Sequence, residues 1–465
     1  MFRKFKNKYI GDSNFYIMVL AMVVPMILQN LVTNFVSMLD NIMVGQLGTE
    51  QMNGVSIVNQ FMFIFNISIF GAISGPGIFG AQFFGKGDFK GQKHTVHFRI
   101  AVVVLITVIF GIIYSTFDRQ LISLYISKDD APELIAATLK YGREYMGVML
   151  VSMLPFAIGQ AYTSAVRECC ETKIPLFASL SAVLINLFLD YGLIFGKFGL
   201  PNLGVSGAAW ATVVAKTIES GVIIVWAHTH LERNQYLMNF FKDLRIPGKL
   251  FKDMVVKGTP LLINEFFWVL GMSVIAQCYS VRGLDVVGAR NISSVMNNLF
   301  NVVFIQLGAA TAILLGNKLG AGKLKEAKDM SNKLIFFSVS ISAALTFCMI
   351  PLAYLFPMLY NTSEYIRSLS TYMVIILAFA MPMFAFTNSA YFTLRSGGKT
   401  GLTFLLDFIF TWVIQIPAAF ILCYKTSMDF RLLFAIVTYL EVIKIIIGTV
   451  LVKSNLWIQN IVEKE

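Results

Sequence analysis

Asp40 ends a polar stripe on an otherwise apolar segment. At 100° per residue along a helix, Asn30, Thr33, Asn34, Ser37, Asp40 and Asn41 fall within one arc of about 120°. The opposite arc is Leu31, Val32, Phe35, Val36, Met38 and Leu39. A wet face that ends in a carboxylate must line something polar. Asn186 and Asp190, four residues apart, share one face of a second apolar segment. Two carboxylates with amide and hydroxyl oxygens make a hard-oxygen cluster that can hold a proton or Na⁺ if the two helices meet. The plainer alternative is that Asp40 caps its helix and Asp190 hydrogen-bonds a neighbour. Burying two acids with no basic partner in sight is costly, which favours the ion site.

Ionisable side chains inside apolar spans cost several kcal/mol unless they face a cavity or a partner. Lys216 with Glu219, and Glu441 with Lys444, are i,i+3 pairs expected to neutralise each other on their own helix. A symmetric role for the two lysines at the floor of a cavity stays open. Glu265 lies five residues beyond Pro260, as Asn30 lies five beyond Pro25, which places it near mid-membrane as a candidate substrate or proton site. Asn30, Asn34 and Ser37 are candidates for the same cavity. Asp407, whose repeat counterpart is Ser179, is either a functional acid or a hydrogen-bonding group. Pro25 and Pro260 each remove an intrahelical hydrogen bond, so both are candidate helix kinks.

These residues are carried by a repeated unit. Pro25, Asn66, Gly85 and Gly87 recur 235 residues later as Pro260, Asn301, Gly320 and Gly322, without a gap. Arg167, Thr172 and Lys216 recur as Arg395, Thr400 and Lys444 at an offset of 228. Two copies of one helical bundle enclosing a pathway is a recurrent transporter architecture, with sites commonly at the repeat interface. The composition is 57% hydrophobic and 14% charged, with a mean hydropathy of +0.70. No water-soluble domain of this length tolerates that surface. Hydropathy predicts twelve spans, at roughly 15–40, 52–79, 95–117, 134–161, 174–196, 203–228, 254–280, 288–316, 332–357, 366–392, 402–424 and 429–452. The expected fold is an all-α polytopic membrane protein with six helices in each of two pseudo-symmetric lobes, 1–240 and 241–465. A polar connection over about 229–253, containing Asp243, joins them.

Lys and Arg are more than twice as frequent in the loops and tails on the side of the N-terminus as on the other. Both termini are therefore expected in the cytoplasm, with the protein multi-pass in the plasma membrane. The +11 net charge is explained by a lipid-facing collar that includes Lys6, Lys8 and the loop from Lys318 to Lys333, so membrane lipids are partners and nucleic acid is not. A monomer is expected. The 41 Phe and 22 Met supply adaptable apolar surface, suited where it lines a cavity to flat or cationic organic ligands. The five cysteines have no metal spacing, the histidines at 94, 97, 228 and 230 form no zinc motif, and no Walker A loop surrounds Gly85–Gly87. An enzyme or an ATP-driven pump is not expected. Work must come from an ion or other gradient, with no cofactor.

The sequence resembles the multidrug and toxic compound extrusion (MATE) family over essentially its whole length. The resemblance rests on Pro25 with Asp40 in SMLDNIMVG (37–45), the turn at Gly85 to Asp88, GVSGAAWAT (204–212), and the paired motifs Arg167 to Thr172 and Arg395 to Thr400. It implies a two-lobed, V-shaped antiporter that exports drugs and other organic, often cationic, compounds in exchange for Na⁺ or H⁺. It also implies an N-lobe cation site of Asp40, Asn186, Asp190 and Thr212. Some relatives add acids on helices 7 and 10; Glu265 answers the first, whereas residues 381–389 hold no acid. A lipid-linked oligosaccharide flippase of the same superfamily is the nearest alternative, and it would usually want extra helices or a strongly basic cavity. A major-facilitator carrier would need an Asp-Arg-x-Gly-Arg loop that is absent here. An unrelated membrane-embedded enzyme has no motif to support it.

Overall fold

The computed structural model describes residues 2–126, 131–242 and 244–463, so Asp243 lies outside the described residues. Among the described residues, twelve helices are long and apolar enough to cross a bilayer. They are α1 Ser13–Gly45, α2 Thr49–Lys86, α3 Phe89–Thr116, α4 Pro132–Glu168, α5 Lys173–Phe195, α6 Val205–Thr229, α7 Gly248–Ser280, α8 Leu284–Gly320, α9 Leu324–Leu355, α10 Glu364–Ser396, α11 Thr400–Lys425 and α12 Phe430–Lys453. Short helices at Phe2–Tyr9 and Asp118–Ser123 lie outside this set. No strand occurs among the described residues. Several helices run well past their predicted apolar cores, because hydropathy registers the hydrocarbon thickness while the backbone continues its hydrogen bonding into the headgroup region. Large apolar side chains such as Leu105, Ile112, Val225 and Phe347 stand exposed, as a lipid-facing surface requires.

The chain divides into two compact units. The amino unit comprises residues 24–80 and 88–252; the carboxyl unit comprises the residues up to 23, 81–87 and those from 253 on. In the amino unit α6 packs on α4 and α5, and α3 packs on α4. The GVSGAAWAT motif explains the contact of α6 with α5. A Cβ at Gly207 would lie 2.6 Å from the Leu193 carbonyl oxygen, and Ala208, Ala209, Ala211 and Ala215 are buried. Small residues let α6 approach α5 closely, as in membrane bundles generally. In the carboxyl unit α10 packs on α8, α9 and α12.

Both glycine turns end helices as expected, with Gly87 and Gly322 left-handed at φ 77° and 72°. Their neighbours have a second role. A Cβ at Gly85 would sit 1.9 Å from the Asn317 carbonyl oxygen, and one at Gly320 1.8 Å from that of Gln82. Positions 82 and 85 are the repeat counterparts of 317 and 320, so the contact is reciprocal. The C-terminal segment ties down the same region: Ile461 N donates to Gln82 Oε1 at 2.8 Å, and Lys86 Nζ to the Val462 carbonyl at 2.6 Å.

One ion pair inside the amino unit was not visible from spacing. Arg99 on α3, fully buried, meets Glu168 on α4 at 2.8 Å and donates to the Pro76 carbonyl of α2 at 3.2 Å. Gly80 leaves room for it, since a Cβ there would lie 2.1 Å from Glu168 Oε2. Removing one partner strands a buried charge, at a cost of about 3–5 kcal/mol. Glu168→Leu is therefore expected to lower the melting temperature of the detergent-solubilised protein sharply. The double change Arg99→Met with Glu168→Leu should restore most of the loss; a double variant no better than the single one would refute the charge-based account.

Candidate functional site

The polar stripe of α1 faces a cavity of about 410 Å³ in the amino unit. Asn34, Ser37 and Asp40 line it, with Asn59 from α2, Tyr145 from α4, and Thr212 and Lys216 from α6. Along the stripe Asn30, Thr33, Ser37 and Asn41 each donate to the carbonyl four residues back, at 2.8–3.1 Å. The hydroxyl donors of Thr33 and Ser37 are thereby spent on their own helix, which leaves their oxygen lone pairs free, while each amide keeps a second N–H and its carbonyl oxygen. Asn30 itself is not among the lining residues; it sits one turn beyond Pro25, its amide on the Met26 carbonyl. Both Pro25 and Pro260 lie inside continuous helices.

Asp190 is completely buried beside Asp40, and the two carboxylates face each other. Asn186, also buried, stands one turn before Asp190 on α5, and Tyr145 adjoins both acids. Thr212 Oγ1 donates to the Ala208 carbonyl at 3.1 Å, so toward the cavity it offers only lone pairs. Both oxygens of Asp190 and Oδ1 of Asp40 are buried with no hydrogen-bond partner, as is Nδ2 of Asn186. Buried carboxylate oxygens without donors are unstable as ions and are relieved by a proton or a cation. The residues present fit either: two acids, an amide oxygen and a hydroxyl form an all-oxygen donor set suited to Na⁺, and two facing acids suit a shared proton. The structure thus gathers Asp40, Asn186, Asp190 and Thr212 in one place in the amino unit; Glu265 lies on α7 of the carboxyl unit.

The repeat has no second copy of this cluster. The counterparts of Asp40, Asn186, Asp190 and Thr212 are Ile275, Ile414, Ala418 and Leu440. What is duplicated is a polar network below it. In the amino unit Arg167 donates to Gln29 Oε1 at 2.5 Å, and Gln29 Nε2 to Ser179 Oγ at 2.8 Å. Ser179 Oγ in turn donates to Glu219, and Lys216 Nζ reaches Glu219 Oε2 at 3.0 Å. A continuous chain of hydrogen bonds therefore runs from the cavity lysine to Arg167. In the carboxyl unit Asn264 replaces Gln29 and donates at 3.2 Å to Asp407, which replaces Ser179 and pairs with Lys444.

The expected Lys216–Glu219 pair forms. In the other unit the primary partner of Lys444 is Asp407, with Glu441 at 3.9 Å, so Asp407 is an ion-pair member and not only a hydrogen-bonding group. The reason is a swap of helices: Glu219 has Ile447 as its counterpart, and the missing acid reappears on α11. Glu265 makes no hydrogen bond or ion pair with a described residue and lies within electrostatic range of Arg395 and Asp407. Sequence reasoning missed Tyr145, Asn59, Gln29 and Ser179. The signal for Gln29 was its repeat counterpart Asn264, an amide of nearly the same chemistry.

A family model described as MatE matches residues 25–192 and again 260–421, one match in each repeat. The chain belongs to the MatE family. Its relatives include a probable multidrug resistance protein NorM of Thermotoga maritima, 22% identical over 409 residues, a match covering 87% of this chain and 84% of that protein. A multidrug resistance protein NorM of Vibrio cholerae is 24% identical over 405 residues, covering 86% and 85%. Among solved structures, the Vibrio cholerae MATE transporter VcmN in its bent form superposes with a TM-score of 0.84 at 15% identity, over 96% of this chain and 99% of that one. The shared fold is the twelve-helix arrangement described above. MatE proteins are transporters, not enzymes, and this chain is a multi-pass membrane protein of that family.

Proposed function

We propose that the chain is a secondary active antiporter that exports drugs or other organic, often cationic, compounds in exchange for Na⁺ or H⁺. The observation that carries this is the buried pair Asp40–Asp190, three of whose oxygens lack a donor, opening on a cavity that also holds Thr212. An acid pair so placed discriminates between states of the protein that do and do not supply it with a cation, and that discrimination is what coupling requires. The multidrug resistance names of the relatives support the substrate class. The excess of Lys and Arg on the N-terminal side supports a plasma-membrane protein with cytoplasmic termini, and the repeat supports lobes of 1–240 and 241–465.

The test is drug transport in inverted membrane vesicles with Na⁺ and pH gradients imposed separately. Uptake driven by one of them is expected. Scrambling of lipid-linked sugars without drug flux would transfer the assignment to a flippase.

A further inference from the structure

The carboxyl unit holds a cavity of about 340 Å³ that the ion site does not use. Its lining repeats that of the amino-unit cavity at several positions: Asn301, Leu377, Phe384 and Lys444 stand where Asn66, Met149, Phe156 and Lys216 stand in the other. The polarity differs. Arg290 replaces Val55, and its guanidinium forms no ion pair or hydrogen bond with a described residue. Elsewhere in the same cavity one lysine serves two acids: Lys444 pairs with Asp407 and lies 3.9 Å from Glu441, which accepts from Thr387 at 2.8 Å. Glu441 thus shares its lysine with Asp407, which holds it more closely. One cavity therefore contains a guanidinium without an ion pair and a carboxylate that shares its lysine with a second acid. The side-chain oxygens of Asn297, Asn301 and Asn388 are buried there without a partner.

The backbone is irregular at the same place. A π-helical turn over Phe410–Gln415 interrupts α11, and α12 has a single irregular turn at Leu440, just before Glu441. The corresponding helices of the amino unit, α5 and α6, run unbroken. π-bulges recur at functional sites. The Arg290 guanidinium stands on the cavity wall without a counter-charge. A ligand that brings a carboxylate supplies one.

We infer that this cavity binds amphoteric aromatic compounds, with their carboxylate on Arg290 and their cationic group toward Glu441. The aromatic body packs among Phe304, Phe384 and Phe434, and the unpaired amides complete the polar contacts. The inference rests on the export reading for its role in transport, but it is tested by binding alone.

The probes are rhodamine B, a zwitterion at neutral pH, and its ethyl ester, which lacks the carboxylate. Fluorescence anisotropy on the purified full-length protein in detergent gives the ratio of the two affinities. A charge-assisted bidentate contact predicts that the acid binds at least about tenfold more tightly than the ester. Arg290→Leu should collapse that ratio toward one, and Arg290→Lys should keep part of it. Equal affinities in the wild type, or a ratio unchanged in Arg290→Leu, overturn the assignment. If Arg290→Leu does not fold, the wild-type ratio and Arg290→Lys decide. Failure of the export reading would appear differently, as an intact acid preference with no gradient-driven flux.

Discussion

Asp40→Asn is expected to reduce gradient-driven efflux to the background leak while the protein still inserts and folds. The change keeps the side-chain volume but removes the charge that a cation or a shared proton requires. It also adds an amide donor beside Asp190, whose two oxygens have no partner in the wild type. The variant should therefore melt no lower than the wild type, because a buried acceptor gains a donor. Loss of transport with retained stability separates an ion site from a structural contact, and this is the outcome that a capping role for Asp40 does not give. Asp190→Asn should fail similarly. Asn186→Ala should be milder, since the amide contributes one neutral ligand. Efflux from vesicles, with expression checked by size-exclusion chromatography, makes the measurement; wild-type transport by Asp40→Asn would sink the site.

The residues of this cluster were legible because membrane burial makes polar side chains conspicuous. Asp40, Asn186 and Asp190 stand out against apolar neighbours, and the helical period alone puts the last two on one face. The repeat was legible because both offsets run without gaps. Contacts between helices left much less trace. Lys444 has an acid three residues before it on its own helix, which is what spacing reveals, yet its primary partner Asp407 lies on α11. The Arg99–Glu168 pair likewise joins helices 69 residues apart in sequence. The π-helical turn in α11 leaves no mark in hydropathy, since Phe410 to Gln415 is as apolar as a regular helix would be. Glycine gave two signals at once: Gly85 and Gly87 read as a helix end, and only the close approach to Asn317 shows that Gly85 also serves a helix crossing.

Drug affinity measured against pH and against Na⁺, without a membrane gradient, is expected to identify the coupling ion. Facing carboxylates cannot both ionise cheaply, so a shared proton or a bound cation holds them together. In an antiporter the ion and the drug favour different states of one protein, and linkage makes that preference reciprocal. If the ion is H⁺, drug binding must expel the shared proton. Affinity then rises with pH, approaching tenfold per unit when one proton is released, and Na⁺ has little effect. If the ion is Na⁺, both acids stay ionised and affinity falls as Na⁺ rises, by up to tenfold for each tenfold increase at saturation. Asp40→Asn should flatten whichever dependence the wild type has, because the remaining acid neither shares a proton with a second carboxylate nor offers Na⁺ two charges. A bend of α1 near Pro25, if the ion induces one, would give the two states a structural basis, since the polar stripe beyond it carries Asp40 while Gln29, one turn away, is tied to Arg167 and Ser179. Affinities that ignore both ions, equally in wild type and Asp40→Asn, would refute coupling through this pair.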